Sequence, residues 1–148
     1  MKEKQNKENS WWRSTGLDWI QSGLVWIMAL LFLLFGSSKF YPFMPTPPIT
    51  PEAGRFLGAL ISTGYLWQFV GLVEIIGGLL LVFRRTRLVG ALLLLPVIAH
   101  IVPYLWILAR TVPGIPMGLF LIGMELWVLL DHRRKLQGLI VYQQGDIQ

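Results

Sequence analysis

The sequence predicts an all-α integral membrane protein, a bundle of four transmembrane helices with a short surface helix in the first external loop. Hydrophobic residues make up 54% of the 148 residues and charged residues only 14%, which is more apolar than a soluble domain of this size requires. The apolar residues form runs long enough to cross about 30 Å of hydrocarbon. The basic residues gather at the ends of those runs, as they do in membrane proteins.

The chain opens with a polar segment rich in Lys, Glu, Gln and Asn. Because this segment has few apolar side chains to bury, we predict a disordered cytoplasmic tail over residues 1–16. Span one follows, from Leu17 to Phe35. A basic tail before an apolar run is also typical of a signal peptide, with Gly36 to Ser38 as a cleavage site. We expect the run to be retained, because it is longer than a usual signal-peptide core and its loss would place the termini on opposite sides of the membrane.

A proline-rich loop from Tyr41 to Thr50 separates span one from the predicted surface helix. Thr50 is a suitable N-cap, Pro51 suits the first helical position, and Glu52 complements the helix dipole. The apolar face of this helix is formed by Phe56, Leu57, Leu60 and Ile61. We therefore predict a short helix at the membrane surface or over the mouth of the bundle, ending near Gly64.

Three further apolar runs complete the membrane domain, which we place at residues 17–135. Span two extends over residues 66–83, span three over residues 88–108, and span four over residues 115–130 after a Pro-Gly turn. Residues 136–148 are predicted to form a second cytoplasmic tail.

The charge distribution predicts the orientation of these spans. Lys and Arg total 13. One side of the predicted membrane holds Lys2, Lys4, Lys7, Arg13, Arg84, Arg85, Arg87, Arg133, Arg134 and Lys135, and the other holds only Lys39, Arg55 and Arg110. Because short cytoplasmic loops are enriched in Lys and Arg, we predict that both termini are cytoplasmic.

Composition and motifs exclude several classes of function. The chain has no cysteine, which rules out disulfides, thiolate metal sites and dithiol redox chemistry within it. No Walker loop, dinucleotide fingerprint, nucleophile elbow or HExxH motif occurs. The net charge of +5 is explained by topology and lipid headgroups, so no nucleic-acid partner is predicted. We predict no metal site, since histidine pairs and cysteines are lacking.

Ionisable residues inside apolar spans are the candidate site, because a charge in hydrocarbon costs at least about 2.5–3.5 kcal/mol. Helical rise places Glu74 near the midplane of span two, His100 slightly outward in span three, and Glu125 slightly inward in span four. All three can reach one central polar pocket. Gly71, Gly77 and Gly78 share the face of Glu74, which predicts close packing of that face against a neighbouring helix.

Each candidate has a structural alternative. Glu74 and Glu125 can instead have a purely structural role, as hydrogen-bonding groups between helices. His100 lies between Pro96 and Pro103, which predicts a kinked and locally polar helix, and a lone histidine is commonly satisfied by one hydrogen bond. Lys39 can extend to the outer surface, or its ammonium can cap the pocket and pair with Glu74.

Three segments together resemble the DoxX family of small four-helix bacterial membrane proteins. They are Gly36-Ser37-Ser38-Lys39-Phe40, Gly71-Leu72-Val73-Glu74-Ile75-Ile76-Gly77-Gly78 and Thr86-Arg87-Leu88, and the likeness also covers Thr50-Pro51-Glu52-Ala53 and the Ala99-His100 region, where similar members often have Asn. The resemblance implies a compact bundle in the bacterial cytoplasmic (inner) membrane. It also suggests a connection to redox and sulfur metabolism through a thiosulfate:quinone oxidoreductase subunit, but it supplies no catalytic residues.

Three functional interpretations follow from these features. The first is a membrane protein without an assigned reaction whose polar pocket binds a small molecule or whose surface supports a redox partner subunit. The second is an oxidoreductase subunit that holds a quinone headgroup between Glu74 and His100, which makes quinone the one candidate cofactor. The third is a transporter component, which with four spans would require oligomerisation. A quinone site predicts an apolar groove that reaches the lipid, whereas transport predicts a polar path toward both faces.

Overall fold

The computed structural model describes residues 2–44 and 48–132, with side chains from residue 19 onward. These residues form five α-helices: α1 (Lys2–Ser38), α2 (Pro51–Ser62), α3 (Leu66–Val82), α4 (Arg87–Pro103) and α5 (Gly114–Asp131). A π-helix, Tyr104–Ala109, continues α4. No strand occurs in the described residues, which confirms the all-α prediction. The predicted tail over residues 136–148, the cations at 133–135, and Pro45 and Pro47 lie outside the described residues.

Three helical segments within the described residues are long and apolar enough to cross a membrane: Trp19–Ser38, Arg87–Ala109 and Gly114–Asp131. A fourth span is present if α2 and α3, which meet at a bend of 92°, count together as one span. These helices are compatible with a multi-pass membrane protein. The last two segments match the predicted spans three and four to within one residue at each end.

The helices pack side by side in the order α1, α3, α4, α5, and α5 touches α1 again. Thirteen buried apolar side chains form the shared core, among them Met28 on α1, Leu81 on α3, Leu94 on α4 and Val128 on α5. Large apolar side chains also cover the outer surface, which is unlike a water-facing surface. They include Trp26, Ile27, Leu30, Phe69, Leu72, Leu79, Val89, Leu92, Leu119, Leu126 and Leu130.

The contact between α1 and α3 depends on small residues. A Cβ atom on Gly36 would lie 2.7 Å from the carbonyl oxygen of Gly71, and one on Gly78 would lie 3.0 Å from the carbonyl oxygen of Ala29. Ala29 and Gly36 are two helical turns apart on α1, as are Gly71 and Gly78 on α3. Because Gly36 faces Gly71 while Ala29 faces Gly78, the two helices run antiparallel with their backbones in contact.

Helix α2 begins as the sequence predicts. Thr50 is the N-cap of α2, its Oγ1 accepts a hydrogen bond from the Ala53 amide at 3.2 Å, and Pro51 occupies the first helical position. The Thr50 hydroxyl also donates to the carbonyl oxygen of Leu108 at 2.5 Å, which ties the start of α2 to the π-helix. The helix ends at Ser62, and Gly64 takes a positive φ of 78° in the turn that follows.

Two helices have features that the apolar runs alone do not define. Helix α1 starts at Lys2, before the apolar run of span one; Lys, Glu and Gln have good helix propensities, so they can extend a helix that the apolar run has already nucleated. The division of the chain into two tails and a membrane domain stays a prediction. Helix α4 continues through Pro96, and the irregular backbone comes only after Pro103, where the π-helix begins. Since proline lacks an amide hydrogen, a change of hydrogen-bonding pattern beside Pro103 is physically expected.

Candidate functional site

The candidate site centres on an ion pair between Lys39 and Glu74. The Lys39 Nζ lies 2.5 Å from the Glu74 Oε2. The Glu74 side chain is fully buried and the Lys39 side chain is 10% exposed. Lys39 Nζ also lies 3.5 Å from the carbonyl oxygen of Phe35, one turn earlier on the chain. Of the two alternatives for Lys39, the structure therefore shows the pair with Glu74.

Close helix packing explains how Lys39 reaches Glu74. Gly36 on α1 and Gly71 on α3 each stand one turn before one member of the pair, and their backbones touch. A Cβ atom on Gly71 would lie 3.0 Å from the Cβ of Lys39. The missing side chain of Gly71 thus leaves the space through which the stem of Lys39 passes.

Aromatic side chains cover the ion pair. The Lys39 ammonium lies 5.0 Å from the centroid of the Trp67 ring, within range of a cation–π interaction. The Phe40 ring contacts the same region, because its edge would lie 3.1 Å from a Cβ on Gly71. Within the residues that the structure describes, the second carboxylate oxygen of Glu74, Oε1, is buried and has no hydrogen-bond partner. Lys39 is thus held by three groups, while Glu74 keeps one acceptor unused.

Glu125 lies in a different part of the bundle. Its side chain is 2% exposed, and both carboxylate oxygens are buried with no hydrogen-bond partner among the described residues. It contributes to the wall of an open groove of about 290 Å³ between α4 and α5. The other lining residues are apolar: Leu95, Ile98, Ala99, Val102, Pro103, Ile122 and Leu126. An isolated carboxyl group beside an apolar groove is an unsatisfied polar group that a ligand or a proton can satisfy.

The structure does not assemble the predicted central pocket. Glu74 faces α1, Glu125 contributes to the groove between α4 and α5 with its carboxylate oxygens buried behind the apolar lining, and α3 makes no close contact with α5. His100 is on the exposed face of α4, as are Pro96 and Pro103. The buried face of α4 carries Ala91, Leu94, Ile98 and Val102 instead. His100 was predicted to share a pocket with Glu74, but in the structure it lies away from Glu74, because α4 turns its apolar face toward the core.

Several residues of the site were not singled out by the sequence. Trp67 was not among the candidate residues, yet its ring contacts the Lys39 ammonium. Gly36 was noted as a small residue but not as the contact that brings α1 onto α3. Its spacing of three residues from Lys39, matched by the spacing of Gly71 from Glu74, is the signal that could have identified the pair.

Among the residues with described side chains, no three His, Asp or Glu groups lie close enough to hold a metal ion. No protein-family model, curated protein or solved structure matches the chain. The function is therefore inferred from the geometry of the chain's own residues.

Proposed function

We propose that this chain is a four-span membrane protein that binds a small lipophilic molecule with a hydrogen-bonding headgroup in the groove between α4 and α5. The observation that carries the proposal is Glu125, whose carboxyl group has no partner within the described residues and stands beside an apolar groove. Burying such a group without a hydrogen bond costs about 1–3 kcal/mol. A ligand that bonds to it would offset this cost.

A quinone has the chemistry that this groove would recognise. Its carbonyl oxygens accept hydrogen bonds from a protonated carboxyl group, and the hydroxyls of the reduced form donate to a carboxylate. Its isoprenoid tail matches the apolar lining, and the open side of the groove would let the tail reach lipid. The chain has no redox centre of its own in this proposal, so electrons would have to come from a partner subunit.

The resemblance to DoxX proteins agrees with this function but does not carry it. We propose that the chain is a DoxX-type protein of the bacterial inner membrane on the strength of its Gly36 to Phe40 and Gly71 to Gly78 segments. In the structure these two segments meet and contain both members of the buried ion pair. In this proposal helix α3, at 17 residues and about 26 Å, crosses the membrane by itself as span two and brings the number of spans to four.

Substituting Glu125 tests the groove. We expect Glu125→Leu to lose bound quinone and at the same time to unfold at a higher temperature, because it replaces an unsatisfied carboxyl group with an apolar side chain. Glu125→Gln should retain part of the binding. The measurement is the content of decyl-ubiquinone that stays with the purified protein after gel filtration, together with thermal unfolding.

The exposed acid Glu52 provides the control, and Glu52→Leu should change neither quantity. If Glu125→Leu binds as much decyl-ubiquinone as the parent protein, Glu125 is not the anchor and the proposed function fails.

The orientation of the spans is proposed with both termini in the cytoplasm, as the distribution of Lys and Arg favours. A reporter fused after Gln148 should be active on the cytoplasmic side, and one inserted in the loop beside Pro48 should be active on the external side. The experiment uses alkaline phosphatase and a fluorescent protein in parallel at each position. The opposite pattern would contradict the charge argument.

A further inference from the structure

A polar cavity lies at the end of the molecule opposite the turn between α2 and α3. It measures about 230 Å³ and is lined by Gln21, Arg84, Arg87, Asp131 and His132. Gln21 comes from α1, Arg84 from the turn between α3 and α4, Arg87 from the start of α4, and Asp131 and His132 from the end of α5. The cavity is therefore built by three separate parts of the bundle, and none of it belongs to the groove beside Glu125.

Among the described side chains that line this cavity, hydrogen-bond donors outnumber acceptors. Arg87 is only 5% exposed, and its Nε donates to the carbonyl oxygen of Leu81 at 3.3 Å. One terminal nitrogen of Arg84 donates to the Ser22 hydroxyl at 3.3 Å. Among the described side chains, no carboxylate oxygen lies within 4.0 Å of either guanidinium. The Gln21 Nε2 is buried and has no acceptor in the part of the chain that the structure describes. Such a set of donors is suited to an anionic group with several acceptor oxygens.

The cavity lies at the level of a lipid headgroup if the helices span a membrane. The first candidate span starts at Trp19, the second starts at Arg87, and the third ends at Asp131. The lining residues thus coincide with the ends of three spans, where apolar chain gives way to polar chain. Basic pockets between helices at this depth are suited to phosphate headgroups.

Asp131 adds a second requirement. Its carboxylate is half-exposed and stands 3.7 Å from the Nδ1 of His132, on the wall of the same cavity as the two arginines. A purely anionic ligand would be repelled by this carboxylate. A zwitterionic ligand, with a phosphate for the arginines and a primary ammonium for Asp131, would satisfy both charges.

We propose that this cavity binds the headgroup of an ethanolamine phospholipid, with its phosphodiester on Arg84 and Arg87 and its ammonium on Asp131. Gln21 donates a further hydrogen bond to the phosphodiester. The bound lipid joins α1 near the start of its apolar segment to the start of α4 and the end of α5. The site is independent of the quinone groove and uses none of its residues.

Lipid binding to purified variants tests the proposal. The delipidated protein in detergent is titrated with phosphatidylethanolamine, phosphatidylglycerol and phosphatidylcholine, and bound lipid is counted by native mass spectrometry. We expect a preference for phosphatidylethanolamine, and about tenfold weaker binding in Arg84→Gln because a charge-assisted hydrogen bond is lost. Asp131→Asn should keep affinity for phosphatidylglycerol while losing the preference for the ethanolamine lipid.

Arg85 supplies the matched control, since it is an exposed arginine on the same turn and lies outside the cavity. Arg85→Gln should bind lipid as the parent protein does. Arg84 is also exposed, so its substitution leaves the core intact, and thermal unfolding of each variant verifies this.

If Arg84→Gln and Arg85→Gln lose the same amount of lipid affinity, the lipid is attracted by general surface charge and the proposal is overturned. Displacement of the lipid by soluble phosphoethanolamine at millimolar concentration would assign the site to a free phosphate ester and overturn the lipid assignment. Failure of decyl-ubiquinone binding leaves these outcomes unaffected, because the two sites share no residue.

Discussion

Replacing Glu74 with Leu should destabilise the protein by about 3 kcal/mol, because it leaves the Lys39 ammonium in the helix contact without its carboxylate. This loss of stability is at the lower end of the range for a buried charge without a partner, because Lys39 is 10% exposed and can extend part of the way to water. Glu74→Gln should also destabilise, because an amide cannot neutralise the ammonium. The measurement is the free energy of unfolding from a detergent titration in mixed micelles.

A double-mutant cycle separates the interaction energy of Lys39 with Glu74 from the local effect of each substitution. The double variant Lys39→Met with Glu74→Leu removes both charges and should be more stable than Glu74→Leu alone. The exposed pair of Glu52 and Arg55 provides the comparison: its side chains are 59% and 78% exposed, so its coupling should stay below about 1 kcal/mol. A double variant as unstable as the sum of its single variants would mean that Lys39 and Glu74 do not interact.

The outline of the fold could be predicted because it depends on the hydropathy of long segments of the chain. Apolar runs, proline-rich loops and clusters of Arg mark the ends of spans without any knowledge of packing. The start of α2 could also be predicted, because Thr50, Pro51 and Glu52 act on the backbone beside them. These are local interactions that a sequence pattern records directly.

The rotation of each helix about its axis could not be predicted in the same way. Helices α3, α4 and α5 are apolar all round, so periodicity does not show which face turns inward. This is why His100 was predicted to join Glu74 although it lies on the exposed face of α4. Glu74 was placed correctly against a neighbouring helix because its flanking glycines mark that face.

The partner of Glu74 could not be chosen from the sequence. Lys39 follows the end of span one, where water and a carboxylate on α3 are both within reach of its long side chain. The close approach of Gly36 to Gly71 determines which of the two Lys39 reaches, because it sets the spacing between α1 and α3. Glycine spacing on each helix suggests such a contact but does not specify the register.

Adding a side chain at Gly36 should produce the other large effect, because it separates α1 from α3. A Cβ there would lie 2.7 Å from the Gly71 carbonyl oxygen and 2.8 Å from the Cγ1 of Ile75. The first contact is with backbone, which cannot move aside as a flexible side chain can. We expect Gly36→Ala to lower the free energy of unfolding by about 1–3 kcal/mol and Gly36→Val to lower it further.

Gly23 offers the matched control on the same helix, since a Cβ at that position would meet nothing within 4 Å. Alanine has a higher helix propensity than glycine, so Gly23→Ala should leave stability unchanged or raise it by up to about 1 kcal/mol. Both variants lose a helical glycine and gain one methyl group, so their difference isolates the helix contact. Unfolding in mixed micelles gives that difference directly. If Gly36→Ala is as stable as Gly23→Ala, the backbones of α1 and α3 are farther apart than described, and Lys39 then lacks the close approach that brings it to Glu74.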